Sequence, residues 1–194
     1  MSLSVACGGG ATVVGVEQVG GETEAGTTVI RFDPEEMVLG DSVEPVAGTC
    51  IPSQAVLGAY RCLTEGTGET VDPCLLLAGG DLLCEPNPVT GDYTLLLRPT
   101  GPLAPSAAQA DADPFLVELE GNMTTCARRT GSEILDVAGV EARYDCDVPG
   151  TYLLGLEKAN AVWVAGMCVF DASTSSCGES GITLVNVLRA WTVQ

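Results

Sequence analysis

The chain contains no histidine, and Lys158 is its one lysine among eight basic residues. Without imidazole, Ser-His-Asp and Cys-His catalysis and His-ligated metal chemistry are excluded within this chain. Lys158, beside Glu157 and close to Asn160, reads as a solvated turn residue rather than a base. No Gly-x-Ser-x-Gly elbow, phosphate loop or dinucleotide fingerprint occurs. Aromatics are scarce, with two Trp, four Tyr and three Phe, a thin supply for the platforms that sugar clefts favour. No run of eighteen apolar residues is present, so no segment has the pattern of a membrane-crossing helix.

Cysteine is abundant by contrast: nine residues, with no C-x-x-C pair among them. Zinc ligands come at short fixed offsets and usually mix in imidazole, which this pattern does not provide. Disulfides are the better reading, and they imply an oxidising compartment. Acidic residues number 26 against 8 basic ones, for a net charge of −18. Such a surface repels phosphates, which argues against nucleic acid and against charge-driven adhesion to an anionic membrane. The acids are scattered, as on solvated faces.

A chain of 194 residues is long enough for one generous domain with a sizeable core. Its organising stretch is Cys50 to Cys84, where Cys50, Cys62, Cys74 and Cys84 fall in quick succession. Before it, residues 11–19 and 27–32 read as two short β-strands around Gly-rich turns, forming either a hairpin on the main domain or a spacer. Pro34 suits the first position of a helical turn. Ser53 is able to cap a short helix over the apolar run to Tyr60, or that run is a strand. Apolar runs at 75–78, 82–84 and 93–98 are separated by turn chemistry. Residues 99–114 hold four prolines and little that packs, which makes this stretch a functional loop or a linker between halves. Seven further strand-like runs follow between Phe115 and Val193. The expected fold is therefore mainly β, an antiparallel sandwich or barrel stapled by disulfides. The expected division is a Gly-rich start (1–10), a spacer or accessory hairpin (11–45) and a disulfide-bonded domain (46–194).

Cys168 and Cys177 flank a polar hairpin tip and are expected to pair, as are Cys126 and Cys146 at corresponding ends of strand-like runs. The remaining four admit three connectivities, and Cys62 with Cys74 and Cys50 with Cys84 is preferred among them. Cys7 is left over. The start Leu3-Ser4-Val5-Ala6-Cys7-Gly8-Gly9-Gly10 resembles a bacterial lipobox followed by a flexible tether, in which Cys7 carries the lipid and explains the odd cysteine.

Chemistry beyond the bridges is limited to acids. Glu118 with Glu120, and Asp145 with Asp147, share strand faces, and paired carboxylates are able to run glycoside hydrolysis; alternating acids on a strand are also what a solvent face looks like. Asp111 and Asp113 form a candidate Ca2+ pair without the spacing of an EF-hand, or simply a polar loop. Arg61 and Asp72 are expected to form an ion pair inside the cysteine knot.

The pattern Gly48-x-Cys50, Ala59-x-Arg61-Cys62, Asp72-Pro73-Cys74, then Cys84-x-x-Asn87-Pro88, resembles an uncharacterised family of exported bacterial cysteine-rich proteins and lipoproteins. Cys126, Tyr144, Cys146, Leu154-Gly155-Leu156, Trp163 and Trp191 fall in that family's order. Ile51 and Tyr60 stand where the family often has Trp, and the Cys168 to Cys177 hairpin is an addition. The resemblance implies an envelope location and a disulfide-bonded domain, and no activity. The leading expectation is a non-enzymatic envelope lipoprotein, attached to membrane only through Cys7, binding an unknown protein or small ligand at the cell surface. The alternatives are a secreted hydrolase using carboxylates and a structural subunit that donates its N-terminal strand.

Overall fold

A computed structural model describes residues 26–37, 39, 43–106, 112–121, 124–130, 136–137, 140–171, 173–174 and 176–193. The fold is mainly β and stapled by four disulfides. Cys7 and residues 11–19 lie outside the described residues.

The cysteine-rich stretch folds as a closed five-stranded barrel: β2 (Val46–Pro52), β3 (Tyr60–Thr64), β4 (Thr70–Leu76), β5 (Leu82–Cys84) and β6 (Leu95–Pro99). Each strand runs antiparallel to the next, so an odd number of strands forces the closing pair, β2 with β6, to be parallel. Alternation supplies the inward face: Tyr60, Cys62, Val71, Cys74, Leu82, Cys84 and Leu97 form one buried cluster. The run after Ser53, which admitted a short helix or a strand, forms neither before Tyr60. The Ser53 hydroxyl instead accepts from Ala55 N and Val56 N, at 3.2 and 3.1 Å, in a turn that leads into β3.

The second half closes through six strands: β7 (Leu116–Leu119), β8 (Thr125–Arg128), β11 (Tyr144–Cys146), β12 (Thr151–Glu157), β13 (Trp163–Asp171) and β14 (Ser176–Val193). With an even number, the closing pair β14 and β7 is antiparallel. Val117, Leu119, Cys126, Tyr144, Leu153, Ala165, Val187 and Ala190 fill the inside. A small hairpin, β9 (Asp136–Val137) with β10 (Val140–Glu141), lies over Leu154 and Cys168, giving the stapled hairpin its own apolar patch.

Ahead of the first barrel, β1 (Thr28–Phe32) runs parallel to the end of β14. Phe32 is buried and meets Phe115 edge-on, at 5.5 Å between ring centroids. With Trp191, Leu116, Val56, Ala59 and Leu75, it forms a core shared by both barrels. The segment 27–32 therefore belongs to the domain, because its apolar residues have a place in that core. Thr27 reinforces this: its hydroxyl donates to Val187 O (2.6 Å) and accepts from Trp163 N (2.7 Å). The stretch 99–114 joins β6 to β7, and so links the two barrels.

Candidate functional site

Three of the four bridges have a register logic. Cys50 lies directly opposite Cys62 on β2 and β3, Cys74 opposite Cys84 on β4 and β5, and Cys126 opposite Cys146 on β8 and β11, with Cα separations of 4.1, 3.9 and 3.9 Å. The expected Cys62–Cys74 and Cys50–Cys84 pairing is thus wrong. Hairpin partners face each other, whereas the register between β3 and β4 sets Cys62 opposite Val71. Cys126–Cys146 and Cys168–Cys177 are as expected.

Where the two barrels face each other they leave a cleft of about 430 Å3, lined by Asp72, Glu85 and Asn87 from the first and Arg129, Thr130 and Asp145 from the second. Asp72 is the most unusual group in it. The residue is 6% exposed, and one carboxyl oxygen, Oδ1, is buried without a hydrogen-bond partner. Burial pushes its carboxyl up to about 6, against the opposing pull of the Ser53 hydroxyl and of the Arg61 charge; the charge of Glu85 adds to the rise. Asp72 also ties the barrels together through its backbone, since Thr130 Oγ1 donates to Asp72 O at 2.9 Å. Glu85 is the one described non-glycine residue with positive φ, +49°, a conformation that costs on the order of 1 kcal/mol. Its carboxylate accepts from Thr94 Oγ1 at 2.7 Å.

Arg61 does not form the expected ion pair with Asp72. The β3–β4 register shifts between Tyr60 and Cys62, and Arg61 Nη1 donates to Thr130 O at 3.4 Å instead. Nor does Asp113 have the surroundings of a Ca2+ ligand. Its carboxylate meets Lys158 Nζ and Arg128 Nη1, each at 2.9 Å, with Arg143 at 3.9 Å. Burial acts to raise the Asp113 carboxyl, but the hydrogen bond and charge of Lys158, with the charges of Arg128 and Arg143, hold it below its ordinary value. An incoming cation would have to displace three positive groups already present. Asp111 lies outside the described residues. Lys158 is correspondingly no free turn residue: besides Asp113 it lies 5.5 Å from the centre of the Trp163 ring. These contacts, with Tyr144 Oη donating to Pro114 O at 3.0 Å, fasten the end of the inter-barrel linker to the second barrel. Burial raises the Tyr144 phenol far above its usual range.

The carboxylate pairs marked by strand alternation are split among other partners. Glu118 meets Arg189 at 2.6 Å, Glu120 accepts from Asn186 at 2.7 Å, Asp145 meets Arg129 at 2.6 Å, and Asp147 accepts from the Thr125 hydroxyl at 3.2 Å. The three described sulfurs close enough to hold a metal, those of Cys62, Cys74 and Cys84, are all engaged in disulfides. Comparison with models of known protein families, with curated proteins and with solved structures returned no match.

The buried carboxyl of Asp72 makes stability depend on pH in a defined direction. The folded state holds this proton more tightly than the unfolded chain, so its contribution is complete below about pH 4 and is lost as pH rises towards 6. Asp72→Asn should accordingly match the parent near pH 4 and exceed it at pH 8 by about 2 to 3 kcal/mol. Paired urea titrations at the two pH values measure this; equal stability of both proteins at pH 8 contradicts it.

Proposed function

We propose that the chain is a non-enzymatic, extracytoplasmic binding module, lipid-anchored at Cys7, that takes a small polar ligand in the cleft between its barrels. The observation that carries this reading is the cleft itself, lined by charged and polar residues that include Asp72 and the strained Glu85, with a volume within the usual range for small-ligand sites. Asp72, Glu85 and Asn87 lie on one side of it and Arg129, Thr130 and Asp145 on the other. Such a lining suits a ligand that both donates and accepts hydrogen bonds, such as a sugar or an amino acid. Four bridges support the compartment, since disulfides persist where the surroundings are oxidising.

One observation favours a second reading. Asp72, with its raised affinity for a proton, and Glu85 and Asp145 converge on a single cleft, as the acids of a carboxylate hydrolase do. Against it, the Asp72 oxygen that lacks a partner is sealed from solvent, and Asp145 is held by Arg129.

One experiment separates the readings. The protein is melted in the presence of a panel of amino acids and of mono- and disaccharides, and incubated with chromogenic glycosides. Binding predicts that at least one compound raises the melting temperature of the parent and not of Arg129→Ala, with no turnover. Turnover that disappears in Asp72→Asn selects the hydrolase, and neither effect overturns the cleft as a site for these ligands.

A further inference from the structure

The inside of the first barrel places two disulfides side by side. Cys50–Cys62 spans β2 and β3, Cys74–Cys84 spans β4 and β5, and all four residues belong to one apolar cluster. The sulfurs of Cys62, Cys74 and Cys84 lie within 4.8 Å of one another. Cys62, Cys74 and Cys84 are almost fully buried, whereas Cys50 is only partly so. One end of the array is therefore open to a reductant and the other is not.

We propose that the two bridges form a single thiol–disulfide exchange unit, with Cys62 as the branch point through which a dithiol reductant arriving at Cys50 opens the buried Cys74–Cys84 bridge. One thiolate of the dithiol attacks Sγ of Cys50, the Cys50–Cys62 bond breaks, and its electron pair leaves on Cys62 as a thiolate. The second thiol of the reductant resolves the mixed disulfide, releasing Cys50, which takes up a proton, and leaving the reductant oxidised by two electrons. The Cys62 thiolate then attacks Cys74 or Cys84. A bond to Cys62 forms, the Cys74–Cys84 bond breaks, and the departing sulfur takes up a proton. The protein has lost one bridge in total, and its surviving bridge joins Cys62 to a residue of β4 or β5. The crosslink thereby moves from the β2–β3 hairpin to a link between β3 and β4 or β5. Apolar surroundings disfavour the thiolate, which makes the second exchange slow, on a scale up to hours.

The test is limited reduction of the disulfide-intact protein with substoichiometric dithiothreitol, followed by acid quenching, alkylation of free thiols and non-reducing peptide mapping. The expected result is alkylation of Cys50 together with Cys74 or Cys84, while Cys62 stays protected in a new bridge. Cys168–Cys177, which has no such neighbour in the described structure, serves as the control and should alkylate equally at both ends. Equal alkylation of Cys50 and Cys62 with Cys74–Cys84 intact overturns the proposal. Cys50→Ser provides the same test without reductant: kept near pH 8.5, where a free thiol is about half ionised, it should accumulate Cys62–Cys74 or Cys62–Cys84 links. A Cys62 thiol that remains wholly free beside an intact Cys74–Cys84 bridge contradicts it; if this variant does not fold, limited reduction of the parent decides.

Discussion

Trp191→Ala is expected to lower stability by about 3 to 5 kcal/mol, the range for emptying a buried indole site. Trp191 is 4% exposed and packs with Phe32, Leu75, Phe115 and Leu116, residues drawn from β1 and both barrels. For a chain of this length the loss corresponds to a fall in melting temperature of roughly 10 °C. Because this core is shared, amide exchange should accelerate in β4 of the first barrel as well as in β14 of the second. A fall confined to the second barrel would mean that the barrels do not stabilise each other. Phe32→Ala should act in the same direction, since β1 contributes to the same core.

The second large effect concerns Glu118, which is 1% exposed and faces Arg189 across the β7–β14 pair. Arg189 Nε lies 2.6 Å from its carboxylate, and Nη2 donates at 3.1 Å to the other oxygen. Removing the cation leaves a buried carboxylate without its counter-charge, for which a cost of about 3 kcal/mol is expected. Arg189→Ala should therefore be destabilising, although Arg189 itself is exposed, while Glu118→Leu combined with Arg189→Leu should recover most of the loss, because the buried carboxylate that needs the counter-charge is then gone. Denaturant titrations of the two variants measure the difference. A double variant no better than Arg189→Ala would show that the pairing is not what stabilises this position.

The fold class was legible because strand alternation and Gly-, Asn- and Pro-containing turns are local signals. Two bridges were legible for the same reason: Cys126 and Cys146 lie at corresponding strand ends, and Cys168 and Cys177 flank a polar hairpin tip. The other two depended on register. Choosing Cys50–Cys62 over Cys62–Cys74 requires knowing that β2 pairs with β3 so that these residues stand opposite, and that a shift at Arg61 offsets β3 from β4. The same shift separated Arg61 from Asp72. Tertiary placement was the other blind spot. Glu118 and Glu120 look alike in an alternating strand, yet one is buried on Arg189 and the other bonds Asn186 at the surface. Lys158 resembled a solvated turn residue, because only the fold brings Asp113 from 45 positions away to meet it. The cleft is of this kind too, since its halves are contributed by strands from two barrels.

We propose an exported, anchored protein whose β barrels are held by four disulfides. The most direct test is intact-mass and non-reducing peptide analysis of the protein isolated from its native membrane. The account predicts acyl mass on Cys7, the pairs Cys50–Cys62, Cys74–Cys84, Cys126–Cys146 and Cys168–Cys177, and thiol alkylation only after reduction. An unacylated chain whose cysteines alkylate freely without reduction would contradict the compartment, and with it the proposed function.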